Sequence, residues 1–153
     1  MKYLLIIVAL LMTVGCSQSE PKAIAVIETS VTPPEPVQVD TLIYKFIEAE
    51  RMDRVESLQP RGYFVRARYR VTNTGDPIWV SYQYSQLETD SATYEQDNIA
   101  GYEVEGTAMR FMPQNDWNEV DVYFDIPNDE QARQILIKNG KDSLPAKFDI
   151  DLT

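Results

Sequence analysis

The clearest order in the chain is an alternation of apolar and polar positions. In GYFVRARYRVTN, Val65, Ala67, Tyr69 and Val71 fall on one side and Arg66, Arg68 and Arg70 on the other. A period of two over this length predicts a strand with one buried face. Asn73-Thr74-Gly75-Asp76-Pro77 then reads as a turn, and Ile78 to Tyr84 as a second strand. Val120, Val122, Phe124 and Ile126 alternate with Glu119, Asp121, Tyr123 and Asp125 until Pro127 closes the run. Asn128 with Gln131 has the spacing of a capping box over one helical turn. Gln134 to Lys138 and Lys147 to Leu152 give the last two strands. The segment IEAERMDRVESL offers a competing helix through Ile47, Val55 and Leu58, ranked below a strand from Val39 to Ile47 that frays into a polar loop. About seven short strands and no sustained helix predict an all-β antiparallel sandwich.

Before this region lies a different pattern. Met1 and Lys2 precede an apolar run from Tyr3 to Val14, then Gly15, Cys16 and the polar Ser17-Gln18-Ser19-Glu20. The layout is that of a secretory signal, since roughly a dozen apolar residues fall short of the ~20 a spanning helix needs. Thr13-Val14-Gly15-Cys16 resembles the lipobox of bacterial lipoproteins. That resemblance implies cleavage before Cys16 and a diacylglyceryl thioether on its sulfur, bearing acyl chains of the palmitate kind. Two or three such chains anchor stably where one does not. The alternative is an ordinary cleaved signal with a cysteine near its end. Ser17, where an aspartate would retain the protein at the inner membrane, implies onward transfer to an outer membrane in a cell that has one. Otherwise the outer face of the cytoplasmic membrane is expected.

Residues 16–37 read as a lipidated cysteine and a proline-rich tether, with Pro33-Pro34-Glu35-Pro36 favouring extended geometry. The apolar Ala23-Ile24-Ala25-Val26-Ile27 within it suits an extra edge strand better than a free spacer. The expected organisation is thus a signal peptide at 1–15, a tether at 16–37 and one domain at 38–153.

Charge and composition narrow the chemistry. Lys and Arg number 14 against 24 Asp and Glu, for a net charge of −10. Nucleic acid is disfavoured, because phosphate binding rests on clustered cations. The chain has no histidine and one cysteine, so it lacks histidine bases, Ser-His-Asp and Cys-His nucleophiles, histidine zinc sites and an intrachain disulfide. No cofactor is implied.

The strands carry a further likeness. GYFVRARYRVTNTGD, LETDSATY, DWNEVDVYFDIP and KFDIDL resemble an immunoglobulin-like domain of bacterial lipoproteins and secreted proteins, a domain family of uncharacterised function. Gly62, Phe64, Thr72, Asn73, Leu87, Asp90, Tyr94, Phe124 and Pro127 match its pattern, over about Val37 to Thr153. The resemblance implies an immunoglobulin-like sandwich in an extracytoplasmic setting. It implies no catalytic residues.

Three groups of side chains are candidates for recognition. Arg66, Arg68 and Arg70 form a stripe with ~7 Å between successive members, suited either to an acidic ligand or to Glu and Asp on neighbouring strands. Trp79, Tyr82, Tyr84, Tyr94 and Tyr102 supply an aromatic platform for a glycan or protein partner, or else core filling. Asp149 with Asp151, and Asn128-Asp129-Glu130, are close carboxylates for calcium or glycoside chemistry, or solvated edge charges. Taken together these favour a non-enzymatic binding or assembly module at a membrane surface, with an envelope glycan hydrolase or a structural subunit of an envelope complex as the alternatives.

Overall fold

A computed structural model describes residues 34–105 and 109–152. Cys16, the expected signal peptide at 1–15 and Ala23 to Ile27 lie outside the described residues, as does the Tyr102 side chain. The described chain is mostly antiparallel strand. They are β1 (Val37–Val39), β2 (Leu42–Met52), β3 (Tyr63–Asn73), β4 (Ile78–Ser81), β5 (Gln86–Thr89) and β6 (Thr93–Glu95). A helix, α1 (Asn98–Glu105), precedes β7 (Met109–Met112), β8 (Trp117–Ile126), β9 (Ala132–Ile137) and β10 (Ala146–Asp149). Among the described residues the strand segments number ten rather than about seven. One sheet has the order β1-β2-β3-β8, a second β10-β9-β5-β6, and β4 with β7 forms a two-stranded ribbon.

The two four-stranded sheets share one core. Tyr44, Phe46, Val65, Ala67, Tyr69, Val71, Val120, Val122 and Phe124 meet Leu87, Ile135, Ile137 and Phe148 of the second sheet. Phe46 and Phe148 stack across the gap with ring centroids 5.5 Å apart. The ribbon closes this core through Val80 and Met112. Strand β3 alternates as its sequence predicts, with Val65, Ala67, Tyr69 and Val71 buried and the three arginines facing outward.

Strand β2 departs from expectation because its phase breaks. Its register against β3 shifts between Phe46 and Glu48, so Ile47 is the extra residue of a bulge. The inward set is Leu42, Tyr44 and Phe46 before the bulge, and Ala49 after it. The expected fraying at Ile47 is therefore replaced by continued pairing to Met52, opposite Phe64. Beyond the bulge a smaller cluster, Val55, Phe64, Ala100 and Tyr123, covers one end of the sheet's outer face. Helix α1 supplies Ala100 and starts at Asp97, whose carboxylate accepts from the Ile99 and Ala100 amides at 2.9 and 3.0 Å.

Two motif residues join elements. A methyl group on Gly62 would lie 2.5 Å from the Asn128 amide nitrogen and the Ile126 carbonyl oxygen, so only glycine admits this approach of the chain after β8. Asn73, fully buried, donates from Nδ2 to the carbonyls of Asp76, Met112 and Pro113, and accepts from the Gly75 amide at Oδ1. This one side chain ties the end of β3 to the end of β7. Asn128 to Gln131 forms no helix; Glu130 N–H donates to the Pro127 carbonyl and closes a turn instead.

Candidate interaction surface

The outer face of the first sheet carries an ordered ladder of charges. Pairing of β2, β3 and β8 sets Glu50 opposite Arg66, Glu48 opposite Arg68 and Lys45 opposite Arg70. On the other side of β3, Asp121 faces Arg68 and Glu119 faces Arg70. Arg68 grips Asp121 with both nitrogens, Nε to Oδ1 at 2.8 Å and Nη2 to Oδ2 at 2.9 Å. Arg66 Nη2 lies 2.9 Å from Glu48 and 3.0 Å from Glu50, and Arg70 Nη2 reaches Glu119 at 2.6 Å. Four acids, Glu48, Glu50, Glu119 and Asp121, thus stand among four bases, Lys45, Arg66, Arg68 and Arg70.

Burial makes the centre of this ladder structural. Asp121 is buried, and its paired hydrogen bonds hold the Arg68 guanidinium above its usual pKa against the desolvation that would lower it. A hollow of about 290 Å³ opens beside it, lined by Arg68, Glu119, Val120 and Asp121. Arg68 is committed to Asp121, and Glu119 to Arg70 beside the hollow, so its charged groups already have partners. Arg70 also covers a face of the exposed Trp117, its guanidinium carbon 4.5 Å from the ring centroid.

The aromatic candidates divide. Tyr82 is 4% exposed and belongs to the core, with its hydroxyl accepting from Asn118 Nδ2 at 3.2 Å. It follows the inward phase of Val80 past the end of β4, so it cannot serve an interaction surface. Tyr84 stands at the surface and Tyr94 is half-buried. Trp79 is 59% exposed, and its register partner Phe111 is 47% exposed. Their rings meet with centroids 5.5 Å apart and planes tilted by 58°. Met109 lies two residues from Phe111 on β7 and is also exposed. The ribbon thus has one side anchored in the core through Val80 and Met112, with the exposed Arg110 opposite Val80 turned to Asp116, and another on which Trp79, Phe111 and Met109 are exposed.

Period two explains Trp79, but nothing marked Phe111 and Met109 beforehand, because a four-residue strand gives too short a pattern to read. Their partnership with Trp79 requires the β4–β7 register, which only the fold supplies.

Of the acidic candidates, Glu130 accepts from the Ser91 hydroxyl and Asp149 from Gln134 Nε2 at 2.7 Å; Asp90, a residue of the family pattern, accepts from Arg133 at 2.7 and 2.9 Å. The Arg133 hydrogen bonds pull the Asp90 carboxyl below its usual pKa, and the Ser91 hydrogen bond does the same for Glu130. A general acid in glycoside chemistry needs the opposite direction. Among the described residues no cluster of His, Cys, Asp and Glu is arranged to hold a metal ion. No helix among them is long and apolar enough to cross a membrane. No family model, curated protein or solved structure matches the chain.

Proposed function

We propose that this protein is a lipid-anchored extracytoplasmic module that binds or assembles without catalysis. Cys16 carries the lipid, residues 16–37 tether the domain, and an immunoglobulin-like sandwich presents the recognition surface. Lipid supplies location, the tether supplies reach, and the β4–β7 ribbon supplies contact. The observation that carries this reading is the exposed Trp79–Phe111 pair on a ribbon whose other face is locked into the core. Exposed aromatic residues on a rigid support are the usual centres of interface energy. The arginine ladder lacks that quality, since Arg66, Arg68 and Arg70 are each already paired with a carboxylate.

The reading is tested in cells with a photo-crosslinking residue at position 79 and mass spectrometry of the membrane fraction. A lipidated Cys16 and a defined crosslink that is lost when the probe sits at the buried position 82 are expected. An unmodified Cys16 together with no crosslink from position 79 would sink it.

A further inference from the structure

Among the described residues, the second sheet ends in a strand whose outer edge is unpaired. Strand β10 bonds to β9 on one side, and β1 approaches it from the facing sheet while pairing only with β2. Register decides which main-chain groups face the open edge. The Ile150 amide donates to the Arg133 carbonyl at 2.8 Å, one step beyond the last pair of the β10–β9 ladder. In an antiparallel ladder such hydrogen-bonded positions recur at every second residue, so Phe148 and Ala146 also turn their main-chain groups to β9. The N–H and C=O groups of Lys147 and Asp149 therefore point away from β9. Both side chains are exposed on the sheet's outer face, and Phe148 between them is buried against Phe46. Neither Lys147 nor Asp149 makes an ion pair among the described residues; Asp149 Oδ1 accepts from Gln134 Nε2 at 2.7 Å. The edge of β8 is partly taken, since the Tyr123 carbonyl accepts from the Asp97 amide.

We infer that β10 is a dimerisation edge, pairing antiparallel with β10 of a second copy about a two-fold axis at Phe148. Laid against its reversed copy, the strand sets Lys147 opposite the second copy's Asp149 and Asp149 opposite its Lys147. Both residues offer outward main-chain groups, so each opposed pair exchanges both N–H···O bonds, with Cα atoms about 5.5 Å apart. The same register sets an ammonium against a carboxylate on either side of the axis. Like charges fall on the diagonals, about 7–8 Å away. Gln134 takes Oδ1 of Asp149 and leaves Oδ2 to the ammonium. The contact is self-complementary, closes at two copies and joins the two β10-β9-β5-β6 sheets into one.

The order of charges selects a second copy. A lysine alone on an edge keeps other strands away. With an aspartate two residues on, it becomes half of a pair that its own reversed sequence completes. The rival occupant within the chain, the apolar Ala23 to Ile27, carries no charge to set against either residue. The net charge of −10 on each copy opposes association at long range and makes the dimer weak. Salt of ~0.15 M screens that repulsion beyond about 8 Å, a distance greater than the separation of the paired groups. The inference stands apart from the role given to the β4–β7 ribbon.

The test is sedimentation equilibrium of the purified full chain in density-matched detergent at ~0.15 M salt. The parent is expected to dimerise with a dissociation constant below about 1 mM, the strength of a small contact. Lys147→Glu and Asp149→Lys each set like charges across the axis and should weaken self-association at least about tenfold. An equimolar mixture of the two variants should associate again, because each substitution then faces the other. Recovery in the mixture also shows that neither variant has lost its fold. The double change in one chain should restore the homodimer. Hydrogen exchange of the Lys147 and Asp149 amides should slow as the parent is concentrated.

A parent that stays monomeric at about 1 mM overturns the inference. So do single variants that associate like the parent, or a mixture no tighter than its components. Lys147 and Asp149 amides already protected in the dilute monomer also overturn it, since the edge would then be closed by the chain's own Ala23 to Ile27.

Discussion

The arginine ladder and the β4–β7 ribbon are both outward faces of strands, yet they solve opposite problems. The ladder takes charged side chains and closes them on each other: Arg68 on Asp121, Arg66 on Glu48 and Glu50, Arg70 on Glu119. The ribbon takes apolar side chains and leaves them open, with Trp79 and Phe111 touching only one another among the ring contacts described. A charged stripe is the more conspicuous feature of the sequence, but a satisfied charge recognises nothing new. An exposed aromatic pair retains the unfavourable contact with water that binding would relieve. The comparison therefore predicts a separation: changes in the ladder should move stability and spare binding, and changes in the ribbon should do the reverse.

The largest effect is expected where the two regions are joined. Asn73 ends β3, the ladder's central strand, and donates to the Met112 and Pro113 carbonyls at the end of β7. Asn73→Ala leaves buried carbonyls without a donor and the Gly75 amide without its acceptor, a loss of about 3 kcal/mol by unsatisfied-group costs. Chemical denaturation should register that loss, and the crosslink from position 79 should fall with it because the ribbon is no longer fixed to the sheet. A variant as stable as the parent would show that the ribbon is held by its core side chains alone.

Next comes the ladder itself. Asp121→Asn strips the buried charge from the bidentate grip of Arg68. Breaking a fully buried pair costs roughly 3–5 kcal/mol, and the partial exposure of the Arg68 side chain brings the expected loss down to about 2 kcal/mol. Binding at the ribbon should be unchanged. If Asp121→Asn instead abolished partner capture and left the melting temperature alone, the ladder would be a recognition site and the comparison would be inverted.

How much of this contrast is legible in the sequence follows from which signals are local. The inward phase of β3 can be read directly, because alternate residues from Val65 to Val71 are buried without interruption. The continuation of β2 cannot, since the bulge after Phe46 shifts the inward set by one and makes IEAERM look helical. Helix α1 carried one readable mark, the Asp97 cap, but its eight residues include a glycine and give no long apolar stripe. The arginines' need for acidic neighbours is apparent from the chain; that the neighbours are Glu48, Glu50, Glu119 and Asp121 depends on register. Tyr82 could have been placed inside by extending the phase of Val80, whereas Trp79 meeting Phe111 needed a pairing across 32 positions of chain.

A pH scan separates the ladder from the core beneath it. Burial raises the Tyr44 phenol far above 10.0, with the nearby Tyr82 and Asp40 adding to the shift. A raised group contributes stability fully below its unfolded pKa and loses it as pH rises toward the folded one, so the loss begins near pH 10. At pH 11 it should amount to about 1.4 kcal/mol, one unit of linkage. The guanidinium groups of the ladder keep their charge over that range, and Tyr44→Phe should flatten the alkaline limb of the stability curve. An alkaline limb that survives Tyr44→Phe would move the cause from this phenol to other groups.

The smallest expected effect is the most discriminating. Trp79→Ser removes a large side chain that is 59% exposed and lies against Phe111. About two-fifths of its surface leaves water on folding, mostly against Phe111, so the loss of stability should stay near about 1 kcal/mol. A tryptophan kept for the fold would behave differently: its removal would unpack Val80 and Met112 on the opposite face and cost several times more. Thermal denaturation of Trp79→Ser beside Val80→Ala makes that distinction on a single strand, one residue apart. A loss at position 79 clearly smaller than the roughly 2–3 kcal/mol expected at position 80 means the ribbon is anchored from one face and available from the other. Equal losses at both positions would mean that Trp79 is part of the structural support, and the separation between a closed ladder and an open ribbon would fail at its decisive residue.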